Sequence, residues 1–348
     1  MKVGLAGFAR SGKTTIFNVL TGMSAEVGSF ETKRDAAIAV LKVPDPRVDA
    51  LAEIVEPDRK KYAEVTFLDF PPSEERKAAL DTRSLTQMRE VEALTQVVAA
   101  FDDPMAATRG EPLRDLRGFQ SELILADMGV IEKRLERVRK EKGKEREQAL
   151  LEKCQAILED EKPLRAESFH PEEEMLLSGF AFLSQKPLLI VYNREEGEMQ
   201  TPLPEEVAAY IEEQALTVVP ICGKVEMEIA ELEEEERGLF LADLGVEESG
   251  RDRFIQYAYR MLNLMSFFTA GPMEARAWTI ERGTTAVQAA GKIHSDIERG
   301  FIRAEVIAYD EYIQRGGESG CREAGKMRLE GKAYVMTDGD VVHFRFKV

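Results

Sequence analysis

Cysteine is scarce. Cys154, Cys222 and Cys321 are the only three in 348 residues, odd in number and far apart. That excludes a disulfide framework and suits a reducing cytoplasm. Histidine is equally thin: His170, His294 and His343 are scattered and show no zinc spacing to the cysteines. Packing or surface is the reading for all six. No apolar run approaches the roughly 20 residues that span a bilayer as a helix. The N-terminus runs as a strand into a glycine loop and does not read as a cleavable signal. Positive charge is also short: 47 Lys and Arg against 64 Asp and Glu give a net charge of −17. Nonspecific coating of nucleic acid needs a summed positive potential and is excluded; a basic surface on one domain is not. No internal repeat or low-complexity tract is found. What remains is a soluble, globular composition, 44% hydrophobic and 32% charged, long enough for two or three domains and expected in the cytoplasm.

The strongest signal lies at the start. Residues 1–6 read as a short buried strand, followed by Gly7-Phe8-Ala9-Arg10-Ser11-Gly12-Lys13-Thr14, and Thr15 to Leu20 reads as a helix. This is G-x-x-x-x-G-K-[ST] in the strand–loop–helix context that gives the motif meaning. Gly7 and Gly12 permit a tight turn, so that backbone N–H groups from Ala9, Arg10 and Ser11 through Thr15 face phosphate oxygens at a helix N-terminus. Lys13 can reach the β- and γ-phosphates, and the Thr14 hydroxyl can ligate Mg²⁺.

Further along, strands are expected at 36–43, 64–69 and within 96–101, with helices at 47–55 and over much of 73–98. This alternation is the mark of a doubly wound, mostly parallel α/β sheet. Residues 118–160 are different: no proline, dense charge, and helical spacing of Leu123, Leu125, Ile131, Leu135 and Val138. Lys142-Gly143-Lys144 reads as the turn of an inserted helical hairpin. Its stretch 133–146 carries more Lys and Arg than Asp and Glu. Both a solvated face with i,i+4 pairs and a docking surface for RNA or a ribonucleoprotein fit this pattern. The sheet resumes at 187–192 and 216–220. Residues 226–236 read as a solvated acidic helix, and 253–264 as an amphipathic one. From about 266, strands at 276–280, 301–308, 330–335 and 341–348 around a helix at 285–293 suggest a small β-grasp-like domain. The expected division is 1–112 with 164–265 as the nucleotide domain, 113–163 as the hairpin, and 266–348 as the C-terminal domain.

The rest of a nucleotide site can be sought by position. Nucleotide switches end a second strand in D-x-x-G, where the aspartate manages Mg²⁺ and the glycine N–H bonds the γ-phosphate. Asp69 fits the first role. The glycine position is Pro72, which has no N–H to give. Thr32 is the candidate for the Mg²⁺-capping threonine in the loop upstream. Base recognition is usually N-K-x-D; here the strand is followed by Asn193-Arg194-Glu195-Glu196. Asn193 can bond purine N7 or the loop backbone, and Glu196 takes the aspartate position with a longer arm, which makes adenine plausible. Cys222-Gly223-Lys224 would pack on the base. No catalytic base stands out; Ser73, Glu74 and Glu75 follow the altered motif, and the acids suit a helix N-terminus.

These motifs and their flanks resemble the YchF/Obg-like ATPase family of TRAFAC P-loop proteins, over nearly the whole chain. The resemblance is carried by 43–54 (VPDPRVDALAEI), 130–137 (VIEKRLER), Asn193 to Glu196, and 243–250 (DLGVEESG). It is closest in the C-terminal strings 268–272 (FTAGP), 276–280 (RAWTI), 288–294 (QAAGKIH) and 300–306 (GFIRAEV). It implies a P-loop domain, a helical insertion and a C-terminal TGS-type β-grasp domain. It also implies preference for ATP over GTP, use of Mg²⁺, and association with ribosomes. Two parts depart from the family pattern: 28–33 (GSFETK) before the second strand, and D-F-P-P followed by charged, helix-forming sequence where a glycine-rich segment belongs. The expectation is therefore a divergent ATP-binding member with slow or absent hydrolysis, acting on a ribosome or RNA-containing partner. A non-catalytic nucleotide-binding adaptor and a GTP-binding regulatory GTPase are the alternatives.

Overall fold

The computed structural model describes residues 1–22, 37–71, 80–103, 108–246 and 248–347. One sheet has six strands: Lys2–Ala6 (β1), Ala37–Lys42 (β2), Glu64–Asp69 (β4, after the two-residue β3 at Lys60–Lys61), Ala93–Ala100 (β5), Leu188–Arg194 (β8) and Thr217–Ile221 (β9). Asp102–Asp103 (β6) and Thr108–Arg109 (β7) form a separate antiparallel ribbon. The order is β2-β4-β1-β5-β8-β9, and β1 pairs parallel with β4 and β5, β5 with β8, and β8 with β9. Strands buried on both faces read as continuous apolar runs, and β8 is buried at all seven positions. Parallel pairing aligns the C-terminal ends of β1, β4 and β8 at one edge, where open α/β sheets bind ligands.

The helical insertion forms as two helices, Pro112–Val138 and Glu145–Glu159. Pro112 at the first helical turn and Arg137 in the last suit their ends. Ile131, Leu135, Leu151, Cys154 and Leu158 form their shared core with Leu164, Leu177 and Phe182. Four basic residues of 133–146 are spent on acids: Arg134 on Glu147 (2.7 Å), Lys144 on Glu147 (3.1 Å), Arg139 on Glu152 (3.4 Å), and Arg146 on Glu172. For these the solvated, ion-paired face is what the structure has. At the root of the insertion sits Asp127, fully buried. Its carboxylate accepts from the Leu183 amide (3.0 Å), the Ser184 amide (2.7 Å) and Arg89 Nη1 (3.0 Å).

Asp115, in the first turn of the same helix, is pushed up to about 6, chiefly by burial; Arg114 opposes the shift and Glu111 adds to it. The folded carboxyl keeps its proton to about pH 6, whereas an unfolded one loses it near pH ~4. This group therefore favours the fold below pH ~4, and its contribution disappears as pH rises to about 6. Asp115→Asn should flatten the pH dependence of unfolding across that window relative to the parent, measured by urea titration at pH 4.5 and 7. Parallel curves for the two proteins would contradict this.

The second sheet runs β13-β12-β14-β10-β11-β3, with β10 at Leu264–Ala270, β11 at Ala275–Glu281, β12 at Phe301–Ala308, β13 at Arg328–Glu330 and β14 at Asp340–Phe346. Helix Ala286–Ile293 covers one face through Ala286, Ala289 and Ala290, over Phe267, Ile280, Val306 and Phe344. Thr285 and Gln288 close a capping box at its start. By compactness the chain divides into Met1–Val40 with Thr66–Tyr257, and Leu41–Val65 with Ala258–Val348.

The structure differs from expectation in several places. Residues 41–65 fall with the C-terminal unit, because Arg47 grips Asp45 at two points (both 2.8 Å), reaches Asp338 (3.3 Å) and lies over the Phe268 ring. The helix expected over 73–98 is reduced, among the described residues, to Thr82–Met88, and β5 begins already at Ala93. Pairing of β5 with β1 on one side and β8 on the other overrides the helix-forming composition of that stretch. Glu226, expected in solvent, is 4% exposed and accepts from the Gly250 amide at 2.6 Å. Strand β10 begins where an amphipathic helix was expected to end. The strand expected at 330–335 is instead Arg328–Glu330, with Val335 making an isolated bridge to Thr285.

Candidate functional site

The phosphate loop leaves β1 at Ala6 and enters helix Lys13–Thr21. Gly12, its N-cap, has φ +83°, a left-handed conformation that glycine adopts without penalty. Crowding makes the position stricter still: a Cβ there would lie 2.2 Å from Asn193 Nδ2, and one on Gly7 would lie 2.5 Å from the Val97 carbonyl oxygen. Arg10 also has positive φ, at 67°. The first intrahelical bond runs from the Ile16 amide to Gly12 O at 2.9 Å. The amides of Lys13, Thr14 and Thr15 therefore face the loop without helical acceptors, and the N-cap, Gly12, has no side chain to cap them. Ser11 Oγ is buried without a hydrogen-bond partner, while Ala9 and Arg10 form the exposed rim. Backbone donors, two obligatory glycines and a helix N-terminus make a cradle for phosphate.

Lys13 is 7% exposed, and its ammonium donates to the Asp69 carboxylate and to the Phe70 carbonyl oxygen. Asp69 ends β4, one strand from β1, so parallel pairing places it at the mouth of the loop. Burial holds the Asp69 carboxyl above its ordinary range, opposed by the charge of Lys13. The pair joins the two residues that the sequence assigned to phosphate and to metal.

Asn193 ties the loop to the other half of the site. Its Nδ2 donates to Ser11 O and its Oδ1 accepts from the Gly223 amide, both at 3.1 Å. The amide end of this side chain is thus engaged with the protein on both sides, which favours the loop-backbone role over direct contact with a purine. Cys222 and Gly223 begin helix Gly223–Glu231, with Cys222 as N-cap. Burial raises the Cys222 thiol above its ordinary range. A Cβ on Gly223 would lie 3.2 Å from Thr15 Cγ2 and 3.3 Å from Asn193 Oδ1, so this turn packs closely on the phosphate-loop helix. Glu196 is exposed and lies 3.7 Å from Lys224, which joins the two turns flanking the base side. Glu195 Oε1 accepts from the Asp102 amide at 2.9 Å.

The structure brings together Gly7, Ala9, Arg10, Ser11, Gly12, Lys13, Thr14, Thr15, Asp69, Asn193 and Gly223, with Cys222 beside them and Glu196 at the rim. Thr32, Pro72, Ser73, Glu74 and Glu75 lie outside the described residues, as do residues 28–33. Among the described residues, no three His, Cys, Asp or Glu side chains cluster as a metal site, and no helix is long and apolar enough to cross a membrane. Sequence reasoning missed Arg194, a buried residue inside the base motif. Phe8 was missed too: its ring lies close to Gly118 of the insertion, where a Cβ would be 3.1 Å away. An aromatic residue inside the phosphate loop was the available signal.

Comparison with known proteins agrees with this geometry. Residues 264–347 match the YchF-GTPase_C family, described as a protein of unknown function (DUF933). "Ribosome-binding ATPase YchF" of Bacillus subtilis (strain 168) is 41% identical over 364 residues, covering 100% of both chains. The protein of that name from Escherichia coli O157:H7 is 41% identical, covering 100% of this chain and 99% of the other. The solved structure of the Schizosaccharomyces pombe YchF GTPase superposes with a TM-score of 0.88 at 29% identity, covering 99% of this chain and 97% of that one. With the phosphate cradle, the strand order and the full-length likeness in agreement, the chain belongs to the YchF family of P-loop nucleotide-binding proteins.

Proposed function

We propose that the protein binds ATP with Mg²⁺, in preference to GTP, hydrolyses it slowly or not at all by itself, and acts on the ribosome. The observation that carries the nucleotide half is the Asn193 bridge from Ser11 to Gly223, which sets the phosphate cradle and the base-side turns in fixed relation. Gly7, Ala9, Arg10, Ser11 and Gly12 would hold phosphates with Lys13 and Thr15. Thr14 and Asp69 would hold Mg²⁺, which when bound neutralises the charge developing on the transferred phosphoryl group. Lys13 would exchange Asp69 for phosphate oxygens, freeing the carboxylate for the metal. Glu196 would accept from the exocyclic amine of adenine, with Cys222 and Gly223 against the base.

The ribosomal half rests on relatives that carry the name ribosome-binding ATPase. The name of the fungal structure, a GTPase, keeps guanine selection as the competing outcome. We assign nucleotide binding to the unit of Met1–Val40 with Thr66–Tyr257 apart from the hairpin 113–163, and partner binding to that hairpin and to the TGS-like domain in the C-terminal unit. A second reading, a non-catalytic adaptor, is favoured by Pro72, which cannot donate the amide that senses a γ-phosphate. Single-turnover hydrolysis of Mg²⁺-ATP by excess protein, with and without purified ribosomes, separates the two. Slow turnover that ribosomes accelerate supports the ATPase. Bound ATP that stays intact in both conditions supports the adaptor.

A further inference from the structure

Strand β8 ends in two buried side chains on opposite faces, as successive strand residues must be. Asn193 serves the phosphate loop. Arg194, 5% exposed, does something the nucleotide motif does not ask of that position. Its guanidinium lies over the Tyr192 ring, 5.3 Å from the centroid. Its Nη1 donates to three backbone carbonyl oxygens: Glu198 at 2.7 Å, Met199 at 3.3 Å and Thr201 at 2.6 Å. These acceptors all belong to the turn that follows the strand and contains the single helical turn Glu196–Glu198. One planar cation, anchored in the sheet, thus closes residues 195–201 on themselves. All three carbonyl oxygens are reached by the one nitrogen Nη1, and Nε is buried without a hydrogen-bond partner, so the guanidinium holds the turn through a single terminal NH2 while its plane lies over Tyr192. Glu196 stands on this turn, which is held also by its own backbone bonds, from the Glu198, Met199 and Thr201 amides to Glu195, Glu196 and Glu198 O. Glu195 on the Asp102 amide, Glu196 beside Lys224 at 3.7 Å and Gln200 on Leu244 O at 3.4 Å hold it as well; Arg194 ties it to the sheet.

We infer that Arg194 is a positioning residue for base selection: by closing the 195–201 turn it fixes where the Glu196 carboxylate meets the purine, without touching nucleotide itself. The inference rests on the reading that Glu196 faces the base. A turn ordered before binding leaves less conformational entropy to lose when nucleotide arrives. A loose turn would weaken base readout while leaving phosphate binding, which Asn193 supports from the other face, as it is.

The test compares Mg²⁺-ATP, Mg²⁺-GTP and inorganic tripolyphosphate binding to the full chain and to Arg194→Met, Arg194→Lys and Glu196→Gln. For Arg194→Met, ATP affinity should fall about tenfold, on the scale of one lost charge-assisted hydrogen bond. The ATP-to-GTP ratio should move towards one, and tripolyphosphate affinity should stay within about twofold, since the phosphate contacts are untouched. Arg194→Lys should recover part of the ratio, because an ammonium can donate to carbonyl oxygens but offers no flat guanidinium to lie over the Tyr192 ring. Should Arg194→Met fail to fold, Arg194→Lys decides, with amide hydrogen exchange faster at 195–201 and unchanged at 7–14. An unchanged ratio in the Arg194 variants overturns the inference, and so does tripolyphosphate affinity falling in step with ATP. A parent without any base preference overturns it as well. A ratio that moves in Glu196→Gln alone rejects Arg194 and keeps Glu196 as the reader. A ratio that moves in the Arg194 variants alone overturns the inference as well, because Glu196 is then not what the turn positions.

Discussion

Lys13→Ala should lower Mg²⁺-ATP affinity by about 100-fold or more, the scale of losing charge-assisted bonds from one ammonium to phosphate oxygens. Isothermal titration with the non-hydrolysed analogue measures it, and the loss should be equal for ATP and for tripolyphosphate, because Lys13 reads phosphate and not base. The same substitution removes the partner of Asp69, which is largely buried. Burial already raises that carboxyl and Lys13 is what opposes the shift, so in the variant it rises further. A carboxyl raised in the folded state supports folding below its unfolded pKa and loses that support as pH climbs through the folded one. The variant should therefore lose stability relative to the parent as pH rises from acid to neutral. Asp69→Asn in the same background should restore stability at neutral pH without restoring binding. Retained ATP affinity in Lys13→Ala would remove Lys13 from the site.

Asp127→Ala is expected to have the largest structural effect outside the nucleotide site. The carboxylate is 0% exposed and satisfies two amides and one guanidinium. Removing one member of a buried, hydrogen-bonded pair costs about 3–5 kcal/mol, chiefly because the remaining groups stay buried without partners. Arg89 keeps bonds to Ala181 O (3.0 Å) and Ala126 O (3.3 Å), so part of its desolvation stays compensated. Arg89 also caps helix Thr82–Met88, whose other end is held by the Leu80 amide on Glu122 Oε2 at 2.9 Å. Acids of the insertion thus grip both ends of the helix downstream of the altered D-x-x-G stretch. Unfolding should lose cooperativity around the insertion before the C-terminal unit melts, because the substitution lies in the first unit only. Hydrogen exchange of 112–138 and 180–186, compared with that of 275–308, measures this. Equal protection in the parent and in Asp127→Ala would contradict the assignment.

What the sequence made legible follows from how locally each feature is encoded. The phosphate loop needs two glycines, a lysine and a threonine at fixed spacing between strand and helix, and all of that sits within twenty residues. Strand β12 at Phe301–Ala308 and strand β4 at Glu64–Asp69 matched their expected limits, because their apolar patterns are bounded by polar or turn residues. The start of strand β5 was hidden because Ala93 and Leu94 favour helix as readily as strand, and only pairing with β1 and β8 decides; its second half lies within the strand expected at 96–101. The placement of 41–65 was hidden for a similar reason. The string VPDPRVDALAEI reads as a local strand end and helix, yet Arg47 finds Asp338 almost three hundred residues later. In the base motif, Asn193 and Glu196 are readable from spacing. Arg194 is not, since its acceptors are backbone oxygens, which any residue type presents.

The most direct test of the account is an equilibrium competition between Mg²⁺-ATP and Mg²⁺-GTP on the full chain, with Lys13→Ala as the control. The account predicts tighter binding of ATP than of GTP, with both lost in the variant. Tighter binding of GTP, or binding of either nucleotide that survives Lys13→Ala, would contradict it.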